Sequence, residues 1–141
     1  MLFFTGTCRD ASALLAEQKT QTEQNSAAML DNLHHIKDLG LRIKAALEDG
    51  RTDDFGRMMH EHWEMKRKRS AGMADSVIDE AYAHALSNGA LGGKLVGAGG
   101  GGFLMFYTHD RIRLRRAMAQ LELQDMPFSF DFQGSCIQLH D

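Results

Sequence analysis

The stretch KLVGAGGGGFLMFY, residues 94–107, places five glycines among the six residues from Gly97 to Gly102 and follows them at once with apolar side chains. Residues 103–108 have the unbroken apolar character of a buried strand. The letters GAGGGG satisfy G-x-G-x-x-G, but the dinucleotide fingerprint needs a strand before it and a helix after it, and here a strand follows. A phosphate loop ends in Gly-Lys-Ser/Thr ahead of a helix, whereas Gly93-Lys94 runs on into Leu95 and Val96. A flexible turn or bulge without a ligand is the plain alternative. Against it, four successive glycines without the polar filler of a linker suit a main chain that something approaches closely. Successive bare amides make an anion-binding concavity.

Working outward, residues 2–5 form a short aromatic strand ending in a turn at Gly6. A helix is expected over 10–24, and a second over 24–48 with Met29, Leu33, Ile36, Ile43 and Leu47 at spacings of three and four. Gly40 occupies the missing place in that seam, which predicts a close neighbour there. Asp49-Gly50 ends the helix, and Thr52, Asp53 and Asp54 open its hairpin partner. In that partner Met58, Met59, His62, Trp63 and Met65 share one face, with Lys66 inside the apolar arc. A loop over 70–74 leads to a helix carrying Ile78, Ala81, Tyr82 and Ala85, stopped by Gly89, and the glycine loop comes next. Asp110 opens a basic helix with Leu114, Met118 and Leu121 inward. Phe128, Phe130 and Phe132 then alternate with polar residues as a strand, and CIQLH returns beside it. The order is strand, helices, strand, helix, strand, strand. It predicts an α+β sandwich, a small antiparallel sheet with helices on one face.

A length of 141 residues suits one domain spanning 1–141. Sixteen Lys and Arg against nineteen Asp and Glu leave no cationic field for sequence-independent nucleic-acid binding. The two cysteines, Cys8 and Cys136, are in no metal or redox spacing, which favours a reduced, cytoplasmic protein. The start has neither a signal pattern nor a membrane span. His60 and His62, two residues apart, point apart on a helix and do not match a zinc motif, so no metal is expected from them.

At this point four stretches together resemble one family. GGKLVGAGGGGFLMFY is similar to the third motif of the GHMP kinases. TGTCRDAS near the start, HEHWEMKRKRS in the third helix, and the run from Ile78-Asp79 through GALGGKL resemble their sugar-phosphorylating branch, closest to the D-glycero-D-manno-heptose 7-phosphate kinases. The resemblance runs through nearly the whole chain in the same order. It implies the carboxyl-terminal domain of a two-domain kinase, a ferredoxin-like antiparallel sheet with added helices. In that family ATP and Mg are held mainly by an N-terminal domain through a P-x-x-x-G-L-G-S-S-A loop. This sequence has no such loop and its sole proline is Pro127, so no catalytic residue is expected in this chain.

The resemblance implies a cleft where donor and sugar phosphate meet, lined by Gly97, Ala98, Gly99, Gly100, Gly101 and Gly102, with Lys94 entering from the preceding turn. Lys66, beside His62 on an apolar face, needs a partner that a substrate phosphate supplies or a path along which its stem reaches water. Thr5, Gly6 and Arg9 end the first strand and present a hydroxyl and a guanidinium to the sugar phosphate. The expected activity is transfer of the γ-phosphoryl group of ATP to an anomeric hydroxyl, with the isolated chain inactive. A stand-alone module binding a phosphorylated sugar or small anion is the second reading. The expected partners are sugar phosphate, ATP and the missing N-terminal kinase domain, with no nucleic acid and no membrane. An isolated domain, stripped of its usual neighbour, is expected to self-associate.

Overall fold

A computed structural model describes residues 1–6, 12, 16, 19–20, 27–69, 76–97 and 101–134. Most of the expected helix over 10–24, the loop over 70–74 and the CIQLH strand lie outside the described residues. Three strands form an antiparallel sheet: β1 (Leu2–Phe4), β2 (Ala90–Val96) and β3 (Phe103–Thr108), in the order β1-β3-β2. Among the described residues four long helices accompany them: α1 (Ala27–Glu48), α2 (Thr52–Arg69), α3 (Ser76–Ser87) and α4 (Arg111–Ala119). On the outer side of β1, Asp125 bridges to Phe3 and the Met126 amide donates to the Leu2 carbonyl at 2.7 Å. The chain thereby returns beside its own first strand, and the order 125–126, β1, β3, β2 is that of a ferredoxin-like sheet. The α+β reading and its ferredoxin-like form hold.

Two expectations about strands do not. Residues 90–96, read as the approach to a loop, form the seven-residue strand β2, so Lys94 sits in a strand and not in a turn. PFSFDF forms no strand; Phe128, Phe130 and Phe132 are exposed at 51%, 74% and 93%. With all three rings exposed, alternation alone gives that segment nothing to bury.

The core gathers Phe3, Leu95, Leu104 and Phe106 from the sheet, Trp63 from α2, Ile78, Tyr82 and Ala85 from α3, and Leu114 and Met118 from α4. The buried set of α3 is the one its 3.6 period predicts. Asp110 caps α4 by accepting from the Arg113 amide at 2.9 Å, as the sequence indicates. Helix α2 meets β2 most closely at Gly56 and Gly92: a Cβ on Gly92 would lie 1.9 Å from the Gly56 carbonyl oxygen. Here the absence of side chains lets main chain rest on main chain.

In α1 the buried seam is Met29, Leu39 and Ala46, with Ile43 packed against it and Asn32 donating to the Met65 carbonyl at 3.1 Å. Leu47 is 49% exposed, and Gly40 has open space where a close neighbour was expected. Met29 and Ile43 fall on the seam as expected, while Leu39 and Ala46 stand one position before Gly40 and Leu47, the contact with Met58 being filled by the small Ala46. Gly40 therefore only weakens the helix. Gly40→Ala should raise stability by about 0.5–1 kcal/mol, read as a higher urea midpoint with unchanged slope.

Candidate functional site

The glycine segment is the turn of the β2–β3 hairpin, whose last pair is Val96 with Phe103. Gly97, Gly101 and Gly102 have φ of 99°, 135° and 107°. Only glycine adopts such values without strain, so the segment's composition follows from its path. Ala98, Gly99 and Gly100 lie outside the described residues. Gly97 is exposed, while Gly101 and Gly102 are half-buried.

Both ends of the turn are held by polar side chains from other elements. At the β3 end, the Thr5 amide donates to the Gly102 carbonyl at 2.8 Å, its hydroxyl donates there at 3.0 Å, and the Gly102 amide donates to that hydroxyl at 3.2 Å. At the β2 end, the Lys66 ammonium donates to the carbonyls of Gly97 and, at 3.5 Å, Leu95. Lys66 is 6% exposed. Its charge is thus placed behind the hairpin, against main chain.

Lys94 pairs across the sheet with Met105, and Met105 with Leu2. Two positions nearer the turn the row is Val96, Phe103 and Phe4. Alternation puts 94 and 96 on one face, so the lysine shares a face with Phe4 and Val96, which are 43% and 38% exposed. Burial lowers the Lys94 pKa from its ordinary value, and among the described residues its ammonium makes no hydrogen bond or ion pair. A cation so placed gains from an anion that would replace lost hydration. Gly6, with φ of 74°, and Thr5 line a cavity of about 430 Å³ with Phe4, Val77, Leu123 and Met126. Arg9 lies outside the described residues.

Thus Thr5 meets the turn directly, Lys66 meets its main chain, and Lys94 stands on the adjoining sheet face. The sequence did not disclose the support beneath them. The Tyr82 hydroxyl donates to the Gly93 carbonyl at 2.9 Å, and His60 Nδ1 lies 2.9 Å from the same hydroxyl. Since Tyr82 donates to the carbonyl, His60 presents its Nδ1 proton to it. Burial pushes the Tyr82 pKa well above its ordinary value, which keeps that donor. The sequence placed Tyr82 on the apolar face of its helix but carried no signal that joins it to His60.

No helix is long and apolar enough to cross a membrane among the described residues, nor do three His, Cys, Asp or Glu side chains cluster as metal ligands there. For Mg the described side chains therefore supply no ligand set, whereas the positive-φ main chain and Lys94 suit the phosphate oxygens of ATP.

A ferredoxin-like sandwich whose glycine hairpin is tied at both ends defines a domain class, and comparison places the chain within it. Residues 43–123 match the family described as GHMP kinases C terminal, and the chain belongs to that family. It is 31% identical over 123 residues to L-fucokinase/L-fucose-1-P guanylyltransferase of Bacteroides fragilis, covering 85% of this chain and 13% of that protein. To the D-glycero-alpha-D-manno-heptose 7-phosphate kinase of Campylobacter jejuni it is 26% identical over 136 residues, covering 95% of this chain and 40% of that one. The Lin0012 protein from Listeria innocua shares the fold at a TM-score of 0.82 and 17% identity, over 91% of this chain and 38% of the other. The chain thus spans well under half the length of these relatives.

Proposed function

We propose that this chain is the carboxyl-terminal domain of an ATP-dependent sugar-phosphate kinase acting on the anomeric hydroxyl of D-glycero-D-manno-heptose 7-phosphate. The observation that carries this reading is the anchored glycine turn beside the half-buried ammonium of Lys94. The relatives that are sugar kinases by name support it.

Phosphoryl transfer depends chiefly on alignment and on offsetting phosphate charge. ATP, when bound, supplies the phosphoryl group. In the proposed crevice the main-chain amides of the glycine turn receive phosphate oxygens, Gly97, Gly101 and Gly102 placing no side chain in the way, and Lys94 adds a cation from the sheet face. Lys66 adds positive potential from behind the turn. Thr5 and Gly6, with Arg9 following them, border the sugar phosphate. An N-terminal kinase domain supplies the opposite wall, the main ATP cradle and the site of Mg, and rests on the apolar row of Phe4, Phe103 and Val96. In the isolated domain the same row favours self-association.

The test has two arms. Titrating the chain with inorganic pyrophosphate should show saturable binding, weakened about tenfold by Lys94→Met, a loss of about 1.4 kcal/mol. Phosphorylation of heptose 7-phosphate should require an N-terminal kinase domain supplied in the same reaction. Turnover by the chain alone, or pyrophosphate binding indifferent to Lys94, would contradict the proposal.

A further inference from the structure

Strand β2 is an edge strand, since β3 pairs with only one of its sides. Gly93, Leu95 and Gly97 stand two residues apart, so their carbonyls project to the same, unpaired side. Exposed edges of this kind are normally covered or charged. Here the cover is made of side chains from two helices: Tyr82 takes the Gly93 carbonyl, and Lys66 takes those of Leu95 and Gly97. Val96 and Phe103 are the last paired residues, so the Gly97 carbonyl lies one step beyond the ladder, in the turn itself. Lys66 therefore carries the edge order past the point where sheet hydrogen bonds end.

Lys66 is only 6% exposed, on a helix whose Met58, Met59 and Trp63 are also buried. Burying an ammonium group is costly unless main-chain or charged partners compensate, so a lysine here needs a reason. Geometry supplies one. In a planar trans peptide the carbonyl and the amide point in opposite directions. A Gly97 carbonyl held toward α2 therefore fixes the plane of that peptide unit, and with it the direction in which the chain leaves β2 for the turn. Without the ammonium, a glycine at φ of 99° has many alternative paths, including ones that aim a carbonyl dipole at the incoming phosphate.

We propose that Lys66 is a positioning residue for the glycine turn, acting on an anion through the Gly97 carbonyl and not by touching it. This rests on the anion-binding reading of the turn, and the experiment separates the two. In the full chain, the ¹⁵N order parameters of Gly97, Gly101 and Gly102 are measured without ligand, and pyrophosphate affinity is measured separately, for the wild type, Lys66→Met and Lys66→Arg. Lys66→Met should lower the order parameters of these glycines while leaving those of Phe106 and Leu114 unchanged. Its pyrophosphate affinity should fall about tenfold, and Lys66→Arg, which keeps a charged donor, should recover most of it. Unchanged glycine order in Lys66→Met, or a folded Lys66→Arg as impaired as Lys66→Met, would overturn the proposal, since packing alone would then explain the residue. If the wild type binds no pyrophosphate, the anion-site reading fails and the ligand-free order parameters alone decide the role of Lys66. Should Lys66→Met not fold, Lys66→Gln replaces it under the same criteria.

Discussion

Gly92→Ala is expected to destabilise the domain by about 3 kcal/mol and to lower its melting temperature by roughly 10 °C. The added methyl would lie 1.9 Å from the Gly56 carbonyl oxygen, 2.9 Å from its carbon and 3.1 Å from the His60 Cβ. Two of these atoms are main chain within α2, so no rotamer change relieves the overlap. Either β2 or α2 must move as a unit. That movement would separate Lys66 from the edge carbonyls and pull Trp63 from the core, which places the cost at the upper end of ordinary overpacking. Thermal unfolding followed by circular dichroism measures it, with Gly40→Ala, the same chemical change in open space, as the stabilising counterpart. A melting temperature within about 2 °C of wild type would show that main chain does not rest on main chain between α2 and β2.

Gly102→Val should act on the turn. At φ of 107° a β-branched residue is strained, at a cost of about 1–3 kcal/mol. Its Cβ would also approach the Val96 carbonyl oxygen at 3.4 Å. Any relaxation toward negative φ rotates the amide and carbonyl that Thr5 holds, so the turn loses its β3 anchor while the Lys66 anchor remains. Pyrophosphate binding should weaken more than tenfold, beyond what Lys94→Met alone produces, because several amides are misaligned and not one cation lost. Gly50→Val provides the control. Gly50 has φ of 70° in the turn between α1 and α2, so the variant should lose stability without losing anion affinity. Equal effects of the two variants on binding would detach the glycine turn from the proposed crevice.

Much of the helical layer was legible because its signals are local. Asp110 as a cap, Gly89 and Gly50 as left-handed stops, and Ile78, Ala81, Tyr82 and Ala85 as one face follow from residues within one or two turns of each other. The candidate site was legible only in outline. The positive φ values at 97, 101 and 102 are those of the plain turn that the glycine run also allowed. Where Lys66 directs its ammonium depends on β2, which lies some thirty residues away and was read as a turn. The pairing of His60 with Tyr82 escaped notice for the same reason: the Tyr82 hydroxyl is aimed at a carbonyl on that strand.

By itself, then, the sequence determined the helices at Ala27–Glu48, Thr52–Arg69, Ser76–Ser87 and Arg111–Ala119, the antiparallel strand after the glycines, and the α+β class, because periodicity and capping are properties of neighbouring residues. Only the tertiary structure decided that Ala-Leu-Gly-Gly-Lys-Leu-Val is a strand. Its glycines look like a turn until Gly56 and Phe106 are seen occupying the space their side chains would fill. It likewise decided that PFSFDF stays off the sheet after a single bridge at Asp125. Strand pairing is set by partners distant along the chain, and a short alternating segment contains no information about whether such a partner reaches it.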